Sequence, residues 1–419
     1  MRAAAALLAL AAIQSPSRSA DLTFTARMID AGASETAAVA DLNRDGRIDI
    51  ISGEYWYQAP TWTKRRFREV GFSNNYIDSF SVLPLDVDGD GYTDIVDVAW
   101  FARRIAWWRN PGRTVTSTRA LWTAADVNQC CNVEFAVLAD MNNDGRAEEV
   151  LAQENGPAQA WYEARNGKWL RHVVSLSSYG HGIGYGDVDG DKRNDILTPR
   201  GWLQAPRDPT LPNWTFHSNL ELVNKRIAPA GGTLPPEPPL NLPPMAGAPL
   251  PEVLSLGFMH VLDVNGDGRN DILAAAGHDY GVFWFEQREN DVWIRHVIDN
   301  SWSQGHASLV VDLNGDGRRD FVTGKRFMAH NGSDPGEREP LGLYWYESRP
   351  LPVPASATSG RTPAAPGVEW IRHVIDYGGR IGTGMQIVAA DLDADKDLDI
   401  VVGGKSGLFL LENGPARLR

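Results

Sequence analysis

One acidic nine-residue pattern recurs seven times in this chain of 419 residues, and no other feature constrains the fold as tightly. Each copy follows an apolar run, carries oxygen-bearing side chains at positions 1, 3, 5 and 9, and leads into a second apolar run. The copies begin at Asp41, Asp86, Asp140, Asp187, Asp263, Asp312 and Asp391, at spacings of 45, 54, 47, 76, 49 and 79 residues. A base period of roughly 45 to 50 residues is that of a propeller blade, one four-stranded sheet per repeat. The rest of each repeat agrees. An aromatic third strand recurs at 160–163, 282–286 and 343–347, and a fourth strand at 169–174, 293–298 and 370–375. The chain runs out after a third strand at 408–412, while Phe24–Asp30 reads as an orphan fourth strand. Pairing these two ends closes the ring and removes exposed sheet edges. The expected fold is all-β: a seven-bladed β-propeller of four-stranded antiparallel blades, closed by the N-terminal strand.

Residues 3–13 are the longest apolar stretch, behind Arg2 and ahead of a Ser/Pro/Arg segment. At about 11 residues the stretch is too short to span a bilayer and reads as the core of a signal peptide over residues 1–20. A secreted or periplasmic protein without a membrane span is expected. Residues 21–419 then form a single domain, with insertions at 218–256, 327–341 and 350–367. Hydrophobic residues make up 43% of the chain, enough for a large core. Forty basic against 53 acidic residues give −13, which lacks the basic footprint of a nucleic-acid partner. Cys130 and Cys131 are adjacent and alone, so there is no disulfide framework. A vicinal disulfide and a pair of buried thiols both remain open.

The acidic loops read as calcium sites. Ca²⁺ takes six to eight oxygens, and a tight loop can converge the side chains of positions 1, 3, 5 and 9 on one ion. The ligands offered are Asp41, Asn43, Asp45 and Asp49; Asp86, Asp88, Asp90 and Asp94; Asp140, Asn142, Asp144 and Glu148; and Asp187, Asp189, Asp191 and Asp195. The last three loops offer Asp263, Asn265, Asp267 and Asp271; Asp312, Asn314, Asp316 and Asp320; and Asp391, Asp393, Asp395 and Asp399. Metal-free acidic turns are the bland alternative, but carboxylates packed this closely repel one another unless a cation is bound. Loops three, four and seven depart from the pattern. Glu148 replaces the last Asp, and Lys192 and Lys396 stand where the other loops have Gly. If that position is left-handed, a side chain there costs about 1–2 kcal/mol, so these three sites are expected to be weaker.

Loops of the form Asp-x-[Asp/Asn]-x-Asp-Gly-x-x-Asp after an apolar strand resemble FG-GAP/VCBS repeats, the blades of integrin-α-like propellers. The resemblance covers nearly the whole mature chain. It implies a propeller and several structural calcium ions, and no single activity.

Each acidic loop joins the innermost strand to the second, so all seven lie on one face of the disc. The loops entering innermost strands, and those leaving second strands, lie on the other face, around the channel mouth where ligands of closed β folds bind. Six residues before each loop, the mouth positions are Glu35, Phe80, Glu134, His181, Gly257, His306 and Met385. A one-residue bulge would bring His260 there too. Segments leaving second strands add Glu54, Glu154, Arg200, His278, Lys325, Arg326 and Lys405 to the same face. From these, Glu54, Arg200, His278, Lys325 and Lys405 are the expected substrate-binding residues. His172, His217, His296 and His373 recur at one fourth-strand position and read as structural. Insertion 218–256 falls on the mouth face as a lid or wall, 327–341 lies on that face too, and 350–367 falls on the calcium face as a linker.

Two functions of different class follow. His181, His260, His306 and Glu134 can be ligands of one zinc with an open coordination position. Zinc would polarise a sugar carbonyl, with His181, His306 or Glu134 acting on the proton beside it. The substrate would be a carbohydrate or keto-sugar, and the reaction that of a carbon–oxygen lyase, either a sugar dehydratase or a polysaccharide lyase. This arrangement is similar in outline to the propeller domain of the aldos-2-ulose dehydratase family. The alternative is a non-catalytic, integrin-like propeller that binds glycan or protein. A serine hydrolase is disfavoured because no Gly-x-Ser-x-Gly motif occurs.

Overall fold

The computed structural model describes residues 22–218, 255–289, 292–351 and 367–414. The expected signal peptide and most of insertions 218–256 and 350–367 lie outside the described residues. Among the described residues, no helix is long and apolar enough to cross a membrane.

The chain forms an all-β propeller built from four-stranded antiparallel units. In every repeat the acidic loop follows the innermost strand, and in six of the seven the second strand starts on the last residue of the loop. Asp49, Asp94, Asp195, Asp271, Asp320 and Asp399 each begin such a strand. Second strands such as Asp94–Ala99 and Asp271–Ala276 are buried throughout, because both their faces pack against neighbouring sheets. Third strands supply the large aromatic side chains between sheets; Trp56, Trp161 and Trp345 are fully buried. Fourth strands carry the repeated histidines, whose rings stack on third-strand tryptophans. Centroid separations are 4.0 Å for His172 on Trp161, 4.2 Å for His217 on Trp202, 4.4 Å for His296 on Trp284 and 3.9 Å for His373 on Trp345. The Nε2 atoms of these four rings then meet Glu163, Gln204, Glu286 and Glu347. Their role is packing and hydrogen bonding.

Five four-stranded sheets stand separately where seven were expected. The other two repeats share one eight-stranded sheet, in which innermost strands Ile183–Gly186 and Leu256–Leu262 pair in parallel. Glycine makes this seam possible. A Cβ on Gly184 would sit 2.1 Å from the Met259 carbonyl oxygen, so only a bare backbone can approach that closely. The N-terminal strand Phe24–Asp30 pairs antiparallel with Gly407–Asn413, the last strand of the chain. Innermost strands touch in chain order, and Ile387–Ala390 also touches Ala38–Ala40. Cys130 and Cys131 are bonded to each other, which settles the two readings of that pair.

Candidate functional site

The acidic loops share one geometry. The first Asp accepts a hydrogen bond from the backbone N–H of position 6 in all seven, at 2.8–3.1 Å. Position 6 is left-handed throughout, with φ from 70° at Lys192 to 93° at Gly145. Position 4 is left-handed as well, and there Arg44, Asn143 and Ala394 stand without a glycine. Side chains of positions 1, 3 and 5 converge in the second loop, where ligand oxygens of Asp86, Asp88 and Asp90 lie within 4.8 Å of one another. Asp187, Asp189 and Asp195 do the same in the fourth. Hard oxygens gathered on a tight loop are a chemically sound donor set for Ca²⁺.

Position 9 does something that spacing alone did not reveal. Its carboxylate, or in the third loop that of the residue after it, is buried and accepts the backbone N–H of position 2 at 2.9–3.2 Å in all seven loops. In six loops its other oxygen is bonded too; Asp271 Oδ1, for example, accepts the N–H of Gln287 at 2.8 Å. Burial pushes Asp49, Asp195, Asp271 and Asp320 up to about 7, against the pull of these backbone donors. In the third loop the residue in this role is Glu149. The assignment of Glu148 is therefore corrected: Glu148 pairs with Arg146 at the surface, because the longer Glu side chain reaches the cap from one position later. A lysine at left-handed position 6 is strained, so Lys396→Gly should raise stability by about 1 kcal/mol. A urea midpoint that stays put or falls would mean that the ammonium contributes more than the backbone loses.

The opposite face holds the second constellation. Glu134 sits in a register shift of strand Asn132–Ala139, between Val133 and Ala136, and such a bulge re-aims a side chain. His181 lies two residues before strand Ile183–Gly186, and His306 two residues before Ser308–Val311. His278 lies in the turn after Asp271–Ala276. Together Glu134, His181, His278 and His306 offer ligand atoms within 4.8 Å of one another. Glu134, His181 and His306 thus stand together on this face, with His278 as the fourth member. His260 stands apart. It lies inside strand Leu256–Leu262, where its Nε2 meets Ser308 Oγ at 2.9 Å and its ring packs edge-on against Phe321. The bulge that would have carried it to the mouth falls earlier in that strand, between Leu256 and Met259. Burial holds its imidazole down near 4.

The electrostatics of the cluster are specific. His181 Nδ1 is 2.9 Å from the Leu256 carbonyl, which can only accept, so that nitrogen carries the proton. Nε2 is then left with a lone pair 3.1 Å from Glu134 Oε2. Two lone pairs at that distance repel unless a cation, proton or metal, sits with them. His306 is fully buried, and among the described residues neither of its ring nitrogens has a hydrogen-bond partner; His278 Nε2 is likewise buried and unpartnered there. Burial, helped by neighbouring cations, holds His278 down to about 2 and His306 well below the ordinary imidazole range. Burial pushes Glu134 up, but His181, Arg326 and His278 together bring it well below the usual carboxylate range. Neutral imidazoles and an ionised carboxylate are the forms that bind a transition metal, so the residues present fit one.

Beneath the cluster, Arg326 is buried between two carboxylates, with Nε 3.0 Å from Glu35 Oε2 and Nη1 3.1 Å from Glu134 Oε1. Lys405 lies 3.9 Å from Glu35 and 3.6 Å from the Tyr76 ring centroid, and burial lowers its ammonium to about 8. Of the expected substrate-binding residues, His278 and Lys405 thus lie with the cluster. Lys325 is buried against Ser303 and Glu339. Glu54 accepts from Arg66 and from the Val70 backbone, and Arg200 is exposed in the turn between two strands. Buried Glu154 is taken by Arg171 and Tyr162. Segment 327–341 lies against the cluster, carrying His330 and Asp334.

Residues 140–198 and 263–323 match the family model described as the FG-GAP-like repeat, so the chain carries FG-GAP-like repeats. No curated protein matches it. Among solved structures, an ancestral GH74 enzyme is similar at 12% identity, over 91% of this chain and 45% of that one, with a TM-score of 0.48. Rhamnogalacturonan lyase YesW is similar at 11% identity, over 93% and 72% of the two chains, with a TM-score of 0.43. A protein of Agrocybe aegerita that recognises non-reducing terminal N-acetylglucosamine is similar at 13% identity, over 75% and 77%, with a TM-score of 0.42.

Proposed function

We propose that this chain is a secreted, calcium-stabilised propeller that acts on a sugar or keto-sugar as a metal-dependent carbon–oxygen lyase. The eight-stranded sheet counts in this reading as two blades, giving a ring of seven in one domain. One observation carries the catalytic part: three imidazoles and a carboxylate converge, buried or partly buried, with His306 wholly enclosed and both its nitrogens unpartnered among the described residues. A satisfied core histidine would have found a partner.

Glu134, His181, His278 and His306 would hold the ion, and their nitrogen and carboxylate donors suit zinc. When bound, it would supply a Lewis acid for a sugar carbonyl. Lys405, with an ammonium brought down to about 8, is our candidate to take the proton from the carbon beside that carbonyl. The electron pair of the broken C–H bond then forms the carbon–carbon double bond, and the β-oxygen leaves with the pair of the C–O bond. Arg326 holds Glu134 in place throughout. Calcium would occupy the acidic loops on the other face.

Elemental analysis of the purified chain should find at least one transition metal beside several calciums. His306→Ala should lower the transition-metal content and abolish the ultraviolet absorbance of an enone formed from keto-sugars. A wild type without transition metal would sink this reading and leave glycan binding in its place.

A further inference from the structure

A second group of ligating side chains adjoins the first, and the lyase reading does not use it. His330 and Asp334 come from segment 327–341, and His330 Nδ1 lies 2.8 Å from Asp334 Oδ2. His278 Nδ1 is 4.0 Å from that same oxygen, and the rings of His278 and His330 are 4.3 Å apart by centroid. Ligand atoms of the three lie within 4.8 Å of one another. His278 therefore belongs to two donor sets at once. Its ring is 4.0 Å from His181 and 5.1 Å from His306 by centroid, and its Nε2 is buried and unpartnered.

We propose that the cleft holds a second transition metal, on His278 Nδ1, His330 Nδ1 and Asp334, so that His278 is shared between two ions. This rests on the reading of Glu134, His181, His278 and His306 as a metal site. The separation of 4.0 Å between His278 Nδ1 and Asp334 Oδ2 leaves room for one ion between them, given metal–ligand bonds of about 2.0–2.2 Å. Two nitrogens and one oxygen match zinc or copper better than calcium.

Sharing has a chemical consequence. A neutral imidazole has one lone pair, so His278 can bind both ions only after its ring N–H proton leaves to solvent. The resulting imidazolate carries a negative charge. With Glu134 and Asp334 it opposes the charge of two divalent ions, which makes a close pair tolerable in a partly buried site. His330 is the most exposed of the three, at 42% of its side chain. The second ion would thus face solvent and keep an open position for a substrate oxygen. It would also fasten segment 327–341 over the first.

The test uses the full chain, stripped of transition metal and reloaded with zinc alone in excess calcium, then counted by mass spectrometry. About two zincs per chain are expected in the wild type. His330→Ala, Asp334→Asn and His306→Ala should each retain about one. A single zinc in the wild type, lost in His306→Ala but kept in His330→Ala and Asp334→Asn, would overturn the second site and leave the first standing. No zinc at all would overturn both. Loading with Cu²⁺ instead tests the shared ring. Magnetic coupling should suppress the paramagnetic resonance signal per copper in the wild type and restore it in His330→Ala. Two coppers with full, uncoupled signals would overturn the sharing.

Discussion

Arg326→Met should lower stability by about 3–5 kcal/mol, the cost of leaving buried charges without their partner. The guanidinium is 1% exposed and contacts Glu35, also 1% exposed, and Glu134, 7% exposed. Methionine keeps the packing volume and the contact with the rings of Tyr76 and Phe80. Among the described residues it leaves Glu35 with only Lys405, at 3.9 Å, and Glu134 with only His181, at 3.1 Å. Adding Glu35→Gln should recover part of the loss, because one of the two stranded charges is then gone. Urea unfolding of the three variants checks this. A loss below about 1 kcal/mol for Arg326→Met would mean that water reaches the pair and that the charges are screened as surface ions are.

Asp271→Ala should cost a similar amount, about 3–5 kcal/mol, because two buried backbone donors lose their acceptor at about 1–3 kcal/mol each. Val264 N–H and Gln287 N–H both point at this carboxylate, at 3.2 and 2.8 Å. Asp271→Asn keeps one accepting oxygen and should lose about half as much. Asp263→Ala provides the contrast, since Asp263 lies at position 1 of the same loop. If calcium sits there, the cost of Asp263→Ala should largely vanish in chelator, where the wild type has lost its ion too. The cost of Asp271→Ala should persist. Equal behaviour of the two variants in chelator would show that position 9 is a ligand first and a cap second.

Much of this architecture was legible because each repeat writes the same physical demands again. Apolar runs, acidic turns and aromatic third strands give four strands per unit, and the offset from each loop brings Glu134, His181 and His306 onto one rim. Errors arose where one residue of register decides the outcome. His260 needed a bulge next to it, but the irregularity lies nearer Leu256, so its side chain stays in the sheet. In the third loop, Glu148 and Glu149 are both acidic, and only the reach of the side chain selects Glu149 as the cap. The merging of two repeats into one sheet was hidden for a different reason. Gly182 and Gly184 look like ordinary loop and strand glycines until a second backbone is seen to press against them, and Gly186 until the Val261 side chain is. Segment 327–341 was placed on the mouth face without a role, and its His330 and Asp334 reach the cluster.

That glycine seam also governs how rigid the cleft can be. His181 and His278 stand on either side of it, one leading into Ile183–Gly186 and the other following Asp271–Ala276, within one hydrogen-bonded sheet. His181 is further clipped across the seam: its backbone oxygen and its Nδ1 both engage Leu256, each at 2.9 Å. Relative motion of these two imidazoles would have to break backbone ladder bonds. His306 is tied to the same plate by backbone bonds from Gly305 N–H to the Ala276 oxygen at 2.7 Å and from Gln304 N–H to the Asp279 oxygen at 3.2 Å, whereas Glu134 belongs to a separate sheet on the other flank. Thermal breathing between sheets would therefore open the cluster asymmetrically, with one fixed jaw bearing three histidines and one lighter jaw, carrying Glu134, that can part to admit a ligand.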